Sequence, residues 1–197
     1  MSYSQDIEPR KLETSDISPE EGNPGKIDPA KIRLREPALE DGMSVYRLIQ
    51  RCPPLDTNSS YCNLLQCGRF SRTSVVAVHS DEIVGFISGF RLHEQPDVLF
   101  IWQVAVDERA RGGGLAMRML LSILSRPQCE RVRYIETTIT SDNVPSWSLF
   151  RGLAAKLSTD IQSCDWLDKQ AHFDGLHESE SLVRIGPFNH EQIGSKS

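Results

Sequence analysis

Val104-Ala-Val-Asp-Glu-Arg-Ala-Arg-Gly-Gly-Gly-Leu-Ala-Met-Arg-Met-Leu-Leu121 joins an apolar run to a helical one through three consecutive glycines. An apolar run, Val98 to Val106, stops at Asp107; a basic, glycine-rich turn follows, and a strongly helical segment begins at Gly114 or Leu115. Strand, glycine turn and helix in that order aim backbone N–H groups and a positive helix end at a phosphate. Gly112, Gly113 and Gly114 allow positive φ and let a ligand approach without Cβ atoms in the way. Arg111 lies three residues before Gly114 and Ala116 two after it, giving Arg-x-x-Gly-x-Ala. A phosphate loop of the Lys-Ser/Thr type is excluded, because Met117 and Arg118 stand where those residues would have to be. The dinucleotide fingerprint fits poorly, since the glycine spacing is wrong and the strand comes late. Three glycines would equally suit a plain surface loop, so the turn does not decide the matter alone.

Outward from this centre, Lys31 to Arg35 alternates and meets Pro37, a short first strand. Leu39 to Gln50 has helical spacing and is closed by Cys52-Pro-Pro54. A polar turn, Leu55 to Tyr61, feeds a second helix over Ser60 to Cys67, stopped by Gly68. Ser74 to His79 and Ile83 to Leu92 form a hairpin around Ser80-Asp81-Glu82, with Gly85 and Gly89 marking bulges or a close neighbour. After the central strand, the helix runs to about Ser125, with Pro127 beyond it. Arg131 to Ile139 is a strand with Val132, Tyr134, Glu136 and Thr138 on one face. Thr140 to Ser146 caps a short helix, Pro145 to Arg151, ending at Gly152. Gln170 to Phe173 and Ser181 to Ile185 form a closing hairpin around Asp174-Gly175. The order β-α-α-β-β-β-α-β-α-β-β predicts an α/β chain with a mixed sheet of six or seven strands flanked by about four helices.

The 197 residues suit one domain, with 39% hydrophobic and 25% charged residues. Residues 1–30 hold seven acids and three bases, a net −4 of the chain's −5, so the body is nearly neutral and has no basic face for nucleic acid. Those thirty residues have hardly any large apolar side chain and are expected to form a disordered acidic tail. The folded domain is expected over 31–186, with a frayed tail over 187–197. Cys52, Cys62, Cys67, Cys129 and Cys164 show no zinc spacing and read as reduced thiols of a cytosolic protein. No apolar run is long enough for a bilayer, and no signal-peptide core is evident. A metal site is not expected.

The Arg-x-x-Gly-x-Ala turn resembles the coenzyme A loop of the GCN5-related N-acetyltransferases. The resemblance covers about Ile32 to Ile185 and implies acetyl-CoA as co-substrate. It places the pyrophosphate on Arg109 and on Arg111, Gly112, Gly113, Gly114, Leu115 and Ala116. The pantetheine arm would lie on main-chain groups of Val104, Ala105 and Val106, one of whose N–H groups, taken as that of Ala105, polarises the thioester carbonyl. Asn143-x-x-Ser146-x-x-Leu149-Phe150 resembles a second family motif, which puts Asn143 and Ser146 at the cofactor. The family often has Tyr where Phe150 stands, so the usual proton donor to the CoA thiolate is absent.

Cys52 to Tyr61, Phe100 to Val106, Glu136 to Thr140 and Phe173 to Glu178 together resemble the L-2,4-diaminobutyrate acetyltransferases of ectoine biosynthesis. That resemblance implies transfer of acetyl to the γ-amine of L-2,4-diaminobutyrate, and a homodimer. Such an acceptor carries two ammonium groups and a carboxylate, and its pocket needs anions and hydrogen-bond donors. Asp56 can anchor an ammonium with Asn58 and Tyr61 beside it, Trp102 can face a cation, and Glu136 adds an anion. His177, Glu178 and Glu180 cluster where the closing hairpin reaches the pocket. The general base is expected to be Glu178 or Glu180, on one strand face by parity, acting directly or through water. Two alternatives remain at this level: another small amine as acceptor, or an acetyl-CoA-binding sensor without catalysis.

Overall fold

Residues 25–191 are described by a computed structural model. The chain forms β1 (Arg33–Arg35), α1 (Gly42–Gln50), α2 (Ser60–Arg69), β2 (Val75–His79), β3 (Glu82–Arg91), β4 (Val98–Val106), α3 (Leu115–Leu124), β5 (Tyr134–Thr140), α4 (Val144–Lys156), β6 (Ile161–Leu167) and β7 (Glu180–Ile185). The element order is the expected one. The seven strands make one sheet in the order β1-β2-β3-β4-β5-β7-β6. Every neighbouring pair is antiparallel except β4 with β5, which makes the sheet mixed.

Helices cover both faces, and side-chain periodicity assigns them. On α3, Leu115, Met119, Leu120, Ile123 and Leu124 make one apolar stripe. They pack with Phe150 and Leu153 of α4 against Leu99, Ile101, Ile135, Val183 and Ile185 of the strands. On the other face Val45, Leu48 and Ile49 of α1 and Cys67 of α2 close over Val76, Val78, Phe86 and Ala105. The β2–β3 turn has Ser80 at φ 46° and Asp81 at φ 68°, the left-handed pair whose twist matches a hairpin. Gly85 and Gly89 lie beside register shifts in the sheet. At Gly89 a Cβ would sit 2.8 Å from the Phe100 carbonyl oxygen and 3.3 Å from that of Thr73, so only glycine lets these backbones meet.

Several boundaries differ from the sequence reading. Leu39–Asp41 is a 3-10 turn, and α1 starts only at Gly42 because Asp41 is engaged by Arg35 in a two-pronged ion pair (2.6 and 2.8 Å). Gly68 lies within α2, and Gly152 lies within α4, which runs on to Lys156. A Cβ on Gly152 would meet the Met117 methyl of α3 at 3.5 Å, an ordinary contact, so no close approach demands glycine there. Val132 precedes β5 and is buried in the α3/α4 core, on the opposite side from Glu136. The partner of β7 is β6, Ile161–Leu167, not Gln170–Phe173. That later segment is turned by Asp168, whose carboxylate accepts the N–H groups of Gln170 and Ala171 at 2.8 Å each, a local bond set that competes with strand.

Both ends are more ordered than composition suggests. Most of the acidic tail, 1–24, lies outside the described residues, as do 192–197. Residues 25–30, assigned to that tail, pack on the body: Ile27 is buried and donates its N–H to the Arg109 carbonyl at 3.0 Å. Beyond β7, Phe188 is buried and donates to the Arg133 carbonyl at 3.0 Å, so 187–190 do not fray. Among the described residues no helix is long and apolar enough to cross a membrane. All five cysteines carry free thiols.

The end of β4 is fixed by charge. Asp107 is buried and accepts from Arg109 Nε (2.8 Å), Arg109 Nη2 (3.0 Å) and Arg51 Nη2 (3.4 Å). The same two guanidiniums reach Glu82 at 2.9 and 3.2 Å, tying the end of α1 and the start of β3 to this turn. The Arg109 hydrogen bonds hold the Asp107 carboxyl below the ordinary carboxylate range, at about 2.

Gly89→Ala is expected to cost about 1–3 kcal/mol in urea denaturation by overpacking the β3–β4 crossing, whereas Gly25→Ala, with nothing near its Cβ position, leaves the midpoint unchanged. Asp107→Asn is expected to lower stability at neutral pH. Because the folded-state carboxyl is depressed, its contribution is complete above the ordinary carboxylate range and is lost as pH falls from about 4 toward about 2. The stability gap between wild type and variant therefore closes over that window in urea melts.

Candidate active site

The β4–β5 ladder consists of Val98, Leu99 and Phe100 against Tyr134, Ile135 and Glu136. Beyond that level β4 keeps its pairing with β3 as far as Val106, while β5 stays with β7 as far as Thr140. A wedge opens between them. Main-chain groups of β4 that point away from β3 lose their ladder partners there and become available to a ligand. Ser88 pairs with Gln103 and Gly89 with Ile101, which leaves Trp102 as the extra residue of a β-bulge. The bulge reverses the alternation. Leu99 and Ile101 belong to the α3/α4 core, and past the bulge Val104 and Val106 pack there, while Ala105 turns to the α1/α2 side.

Because β4 and β5 are parallel, the turns leaving them lie at the same end of the wedge. Gly112 (φ 87°) and Gly114 (φ 70°) are left-handed, as the glycine reading requires. Gly114 is the N-cap of α3 and offers no side-chain cap, so the first-turn amides, including those of Leu115 and Ala116, are open to an anion. Leu115 itself is buried in the core and can contribute only its main chain. Arg111 is exposed and donates Nε to the Val106 carbonyl at 2.9 Å. Arg109 points elsewhere: its guanidinium is taken up by Asp107 and Glu82, which makes it a strut of the turn rather than a free phosphate ligand. Across the wedge Asn143 caps α4 by accepting the Ser146 N–H at 3.1 Å, so these two predicted residues are joined to each other. Phe150 is buried in the α3/α4 core, against which Val104 and Val106 of β4 also pack.

A strap unmarked in the sequence crosses the glycine turn. Lys26 Nζ donates to the Arg111 carbonyl (3.3 Å), Arg118 Nη1 donates to that of Pro29 (2.9 Å), and a Cβ on Gly113 would meet Pro29 at 2.9 Å. Ile27 in an otherwise polar stretch was the one sequence signal for it.

The opposite side of the sheet gathers the acceptor candidates. Asp56 Oδ2 lies 3.1 Å from His177 Nε2, and Glu180 Oε1 lies 3.8 Å from the same nitrogen. His177 Nδ1–H donates to the Glu178 carbonyl at 2.7 Å, and its ring stands against Phe173. That backbone bond, with Asp56 and Glu180 adding to it against partial burial, raises the His177 pKa above the ordinary histidine value. Glu180 opens β7 opposite Thr140, with a side chain 19% exposed. Glu178 precedes the strand, so parity does not apply to it; its side chain is 64% exposed and paired with Lys169 at 2.5 Å. The structure therefore separates the two acids that sequence left together.

Asn58 donates to the Gln103 side-chain oxygen at 2.6 Å, and Gln103 is buried at the bulge. A lone glutamine inside the apolar run Val98–Val106 was legible in the sequence but went unused. Trp102 is 44% exposed beside Phe70 and Phe90. Tyr61 lies on the first turn of α2, well exposed. Glu136 is not a free anion: it is 4% exposed and bound by Arg184 Nη1 at 2.8 Å. Among the described residues no cluster of three or more His, Cys, Asp or Glu is arranged to hold a metal ion.

Comparison with known proteins fits this geometry. Residues 43–154 match the acetyltransferase (GNAT) family. The chain is 57% identical to the L-2,4-diaminobutyric acid acetyltransferase of Methylotuvimicrobium alcaliphilum, over 80% of this chain and 91% of that protein. It is 52% identical to the protein of the same description from Vibrio parahaemolyticus, over 80% of this chain and 88% of the relative. A solved structure of the diaminobutyrate acetyltransferase EctA from Paenibacillus lautus, in complex with its substrate L-2,4-diaminobutyric acid and coenzyme A, superposes with a TM-score of 0.77. It is 40% identical, covering 80% of this chain and 95% of that one. The wedge, the glycine turn and these relatives lead to one conclusion: the chain belongs to the GNAT acetyltransferase family, among its L-2,4-diaminobutyric acid acetyltransferases.

Proposed function

We propose that the chain transfers the acetyl group of acetyl-CoA to the γ-amine of L-2,4-diaminobutyrate, giving Nγ-acetyl-L-2,4-diaminobutyrate and CoA by direct attack in a ternary complex. One observation carries the reading. A single wedge has uncapped helix amides at its end and the Asp56–His177–Glu180 cluster on its other side. The residues present suit CoA: amides of Gly112–Ala116 and the Arg111 side chain hold the pyrophosphate, and the main-chain groups of Val104 and the Val106 N–H, which point away from β3, hold the pantetheine arm. An N–H of β4 that points away from β3, at Val104 or Val106 and not at Ala105, whose N–H faces Phe86 in the ladder, polarises the thioester carbonyl and stabilises the oxyanion. Asn143 and Ser146 border the same arm from α4.

An alkyl ammonium with a pKa near ~10 is neutral in only about one molecule in a thousand near pH 7. Glu180, partly buried and next to the His177 imidazole, takes the proton directly or through one water. Asp56 anchors the other ammonium, with Tyr61 and Asn58 beside it, and Trp102 presents its ring to a cation. The freed amine attacks the carbonyl carbon, the tetrahedral intermediate collapses, and the C–S bond breaks. With Phe150 buried, the thiolate leaves as such or receives its proton from water in the wedge.

Two finer expectations accompany this. A homodimer is supported by β6, an edge strand with Gln162 to Trp166 all exposed, Trp166 among them. A cytoplasmic site of action is in keeping with the five free thiols.

The activity is tested by following free thiol release from acetyl-CoA with L-2,4-diaminobutyrate, ornithine, lysine, putrescine and a short peptide. Fastest release with diaminobutyrate is expected. Preference for another amine would discard the acceptor assignment, and CoA binding without release would indicate a non-catalytic binder. Glu180→Gln is expected to lower kcat/KM by about 100- to 10,000-fold, with little change for the exposed Glu178→Gln; the reverse ranking in the same assay would move the base to Glu178.

A further inference from the structure

We propose that Lys26 is a positioning residue for the pyrophosphate of acetyl-CoA: by holding the Arg111 carbonyl, it fixes the Gly112 N–H toward the anion. This rests on the placement of CoA proposed above. Lys26 lies outside residues 43–154, the part of the chain that matches the acetyltransferase family, so it is an addition to the turn and not part of it.

The strap that carries Lys26 is built to stay in one place. Ile27 and Ile32 are buried in the α3/α4 core. Between them Asp28 accepts the Ala30 N–H at 3.0 Å and caps a 3-10 turn, Pro29–Lys31. Arg118, on the first turn of α3, donates Nη1 to the Pro29 carbonyl at 2.9 Å and Nη2 to that of Ile32 at 3.4 Å. The Ile27 N–H goes to the Arg109 carbonyl at 3.0 Å. One residue earlier, the Lys26 ammonium donates to the Arg111 carbonyl at 3.3 Å. Both carbonyls are thus drawn toward the strap.

A trans peptide points its C=O and its N–H in opposite directions. Drawing the Arg111 carbonyl to the strap therefore turns the Gly112 N–H to the far side of the turn. The strap covers one side only: a Cβ on Gly113 would meet Pro29 at 2.9 Å, whereas at Gly112 and Gly114 it would meet nothing within 4 Å. Among the described residues the Gly112 N–H has no acceptor. Gly112, at φ 87°, has no side chain to bias this peptide, so a bond from outside sets it. The guanidiniums of the turn are used elsewhere, Arg109 on Asp107 and Glu82 and Arg111 Nε on the Val106 carbonyl. A cation on the carbonyl also polarises the peptide group and strengthens its N–H as a donor. Both effects precede the ligand, which lowers the cost of binding an anion there.

Lys26→Met and Lys26→Arg test this with two readouts, one taken without ligand and one without turnover. Lys26 is exposed, so both variants keep the fold. In ligand-free protein the Gly112 amide resonances are expected to move upfield in Lys26→Met and to stay near their wild-type positions in Lys26→Arg, which keeps a cationic donor. In calorimetry the Kd for CoA is expected to rise about 3- to 10-fold in Lys26→Met and to be largely restored in Lys26→Arg. Weaker CoA binding with the ligand-free Gly112 resonances unmoved would mean that Lys26 touches a phosphate itself, and overturns the positioning role. Equal CoA affinity in wild type and Lys26→Met overturns it too, with the placement of CoA intact. Wild-type protein that binds no CoA overturns that placement, and the inference with it.

Discussion

Two parallel neighbours that are each bonded to a different third strand need not stay bonded to each other. That constraint organises this molecule. β4 follows β3 and β5 follows β7, and past the Phe100–Glu136 rung no ladder pair joins them. The bulge at Trp102 lengthens β4 by one residue against β3 and reverses its faces, bringing Gln103 and Ala105 to the α1/α2 side. Gly89 permits the crossing by letting the Phe100 carbonyl approach without a Cβ between. A gap with unpaired main-chain groups along one side would be costly in a closed core. Here it is the slot into which an extended amide-bearing arm can fit.

The charges divide along the same line. At the end of the wedge the acids are consumed by arginines in the Arg51–Glu82–Asp107–Arg109 network, which stiffens the turn and leaves the glycine amides and Arg111 as the electropositive surface. On the acceptor side the balance is reversed, with Asp56 and Glu180 converging on one imidazole. On the proposed function, these fixed charges would sort an anionic cofactor and a cationic acceptor to opposite ends of one slot.

The centre of the fold was legible because its signals are local. A nine-residue apolar strand, three glycines and an amphipathic helix carry their own evidence, and the structure keeps their limits almost unchanged. Legibility failed where meaning depends on a distant neighbour. Gly152 reads as a stop, yet α4 continues through it to Lys156. β6 was missed because an edge strand exposed along its length shows no alternation. The strap from Lys26 to Ile32 hides in an acidic, apolar-poor stretch because its order comes from contacts with residues some eighty positions away. At the site, residue types were readable and pairings were not. Arg109 and Glu136 both looked like free charges, and both are held by partners that no spacing rule announces.

In the proposed reaction amine and thioester meet directly across the wedge, with no acyl group parked on the protein. Initial velocities measured with acetyl-CoA and L-2,4-diaminobutyrate varied against each other distinguish this from a covalent route. Direct attack gives double-reciprocal lines that converge, the pattern of two substrates bound together. Parallel lines, with an acetylated protein recoverable in the absence of amine, would contradict it.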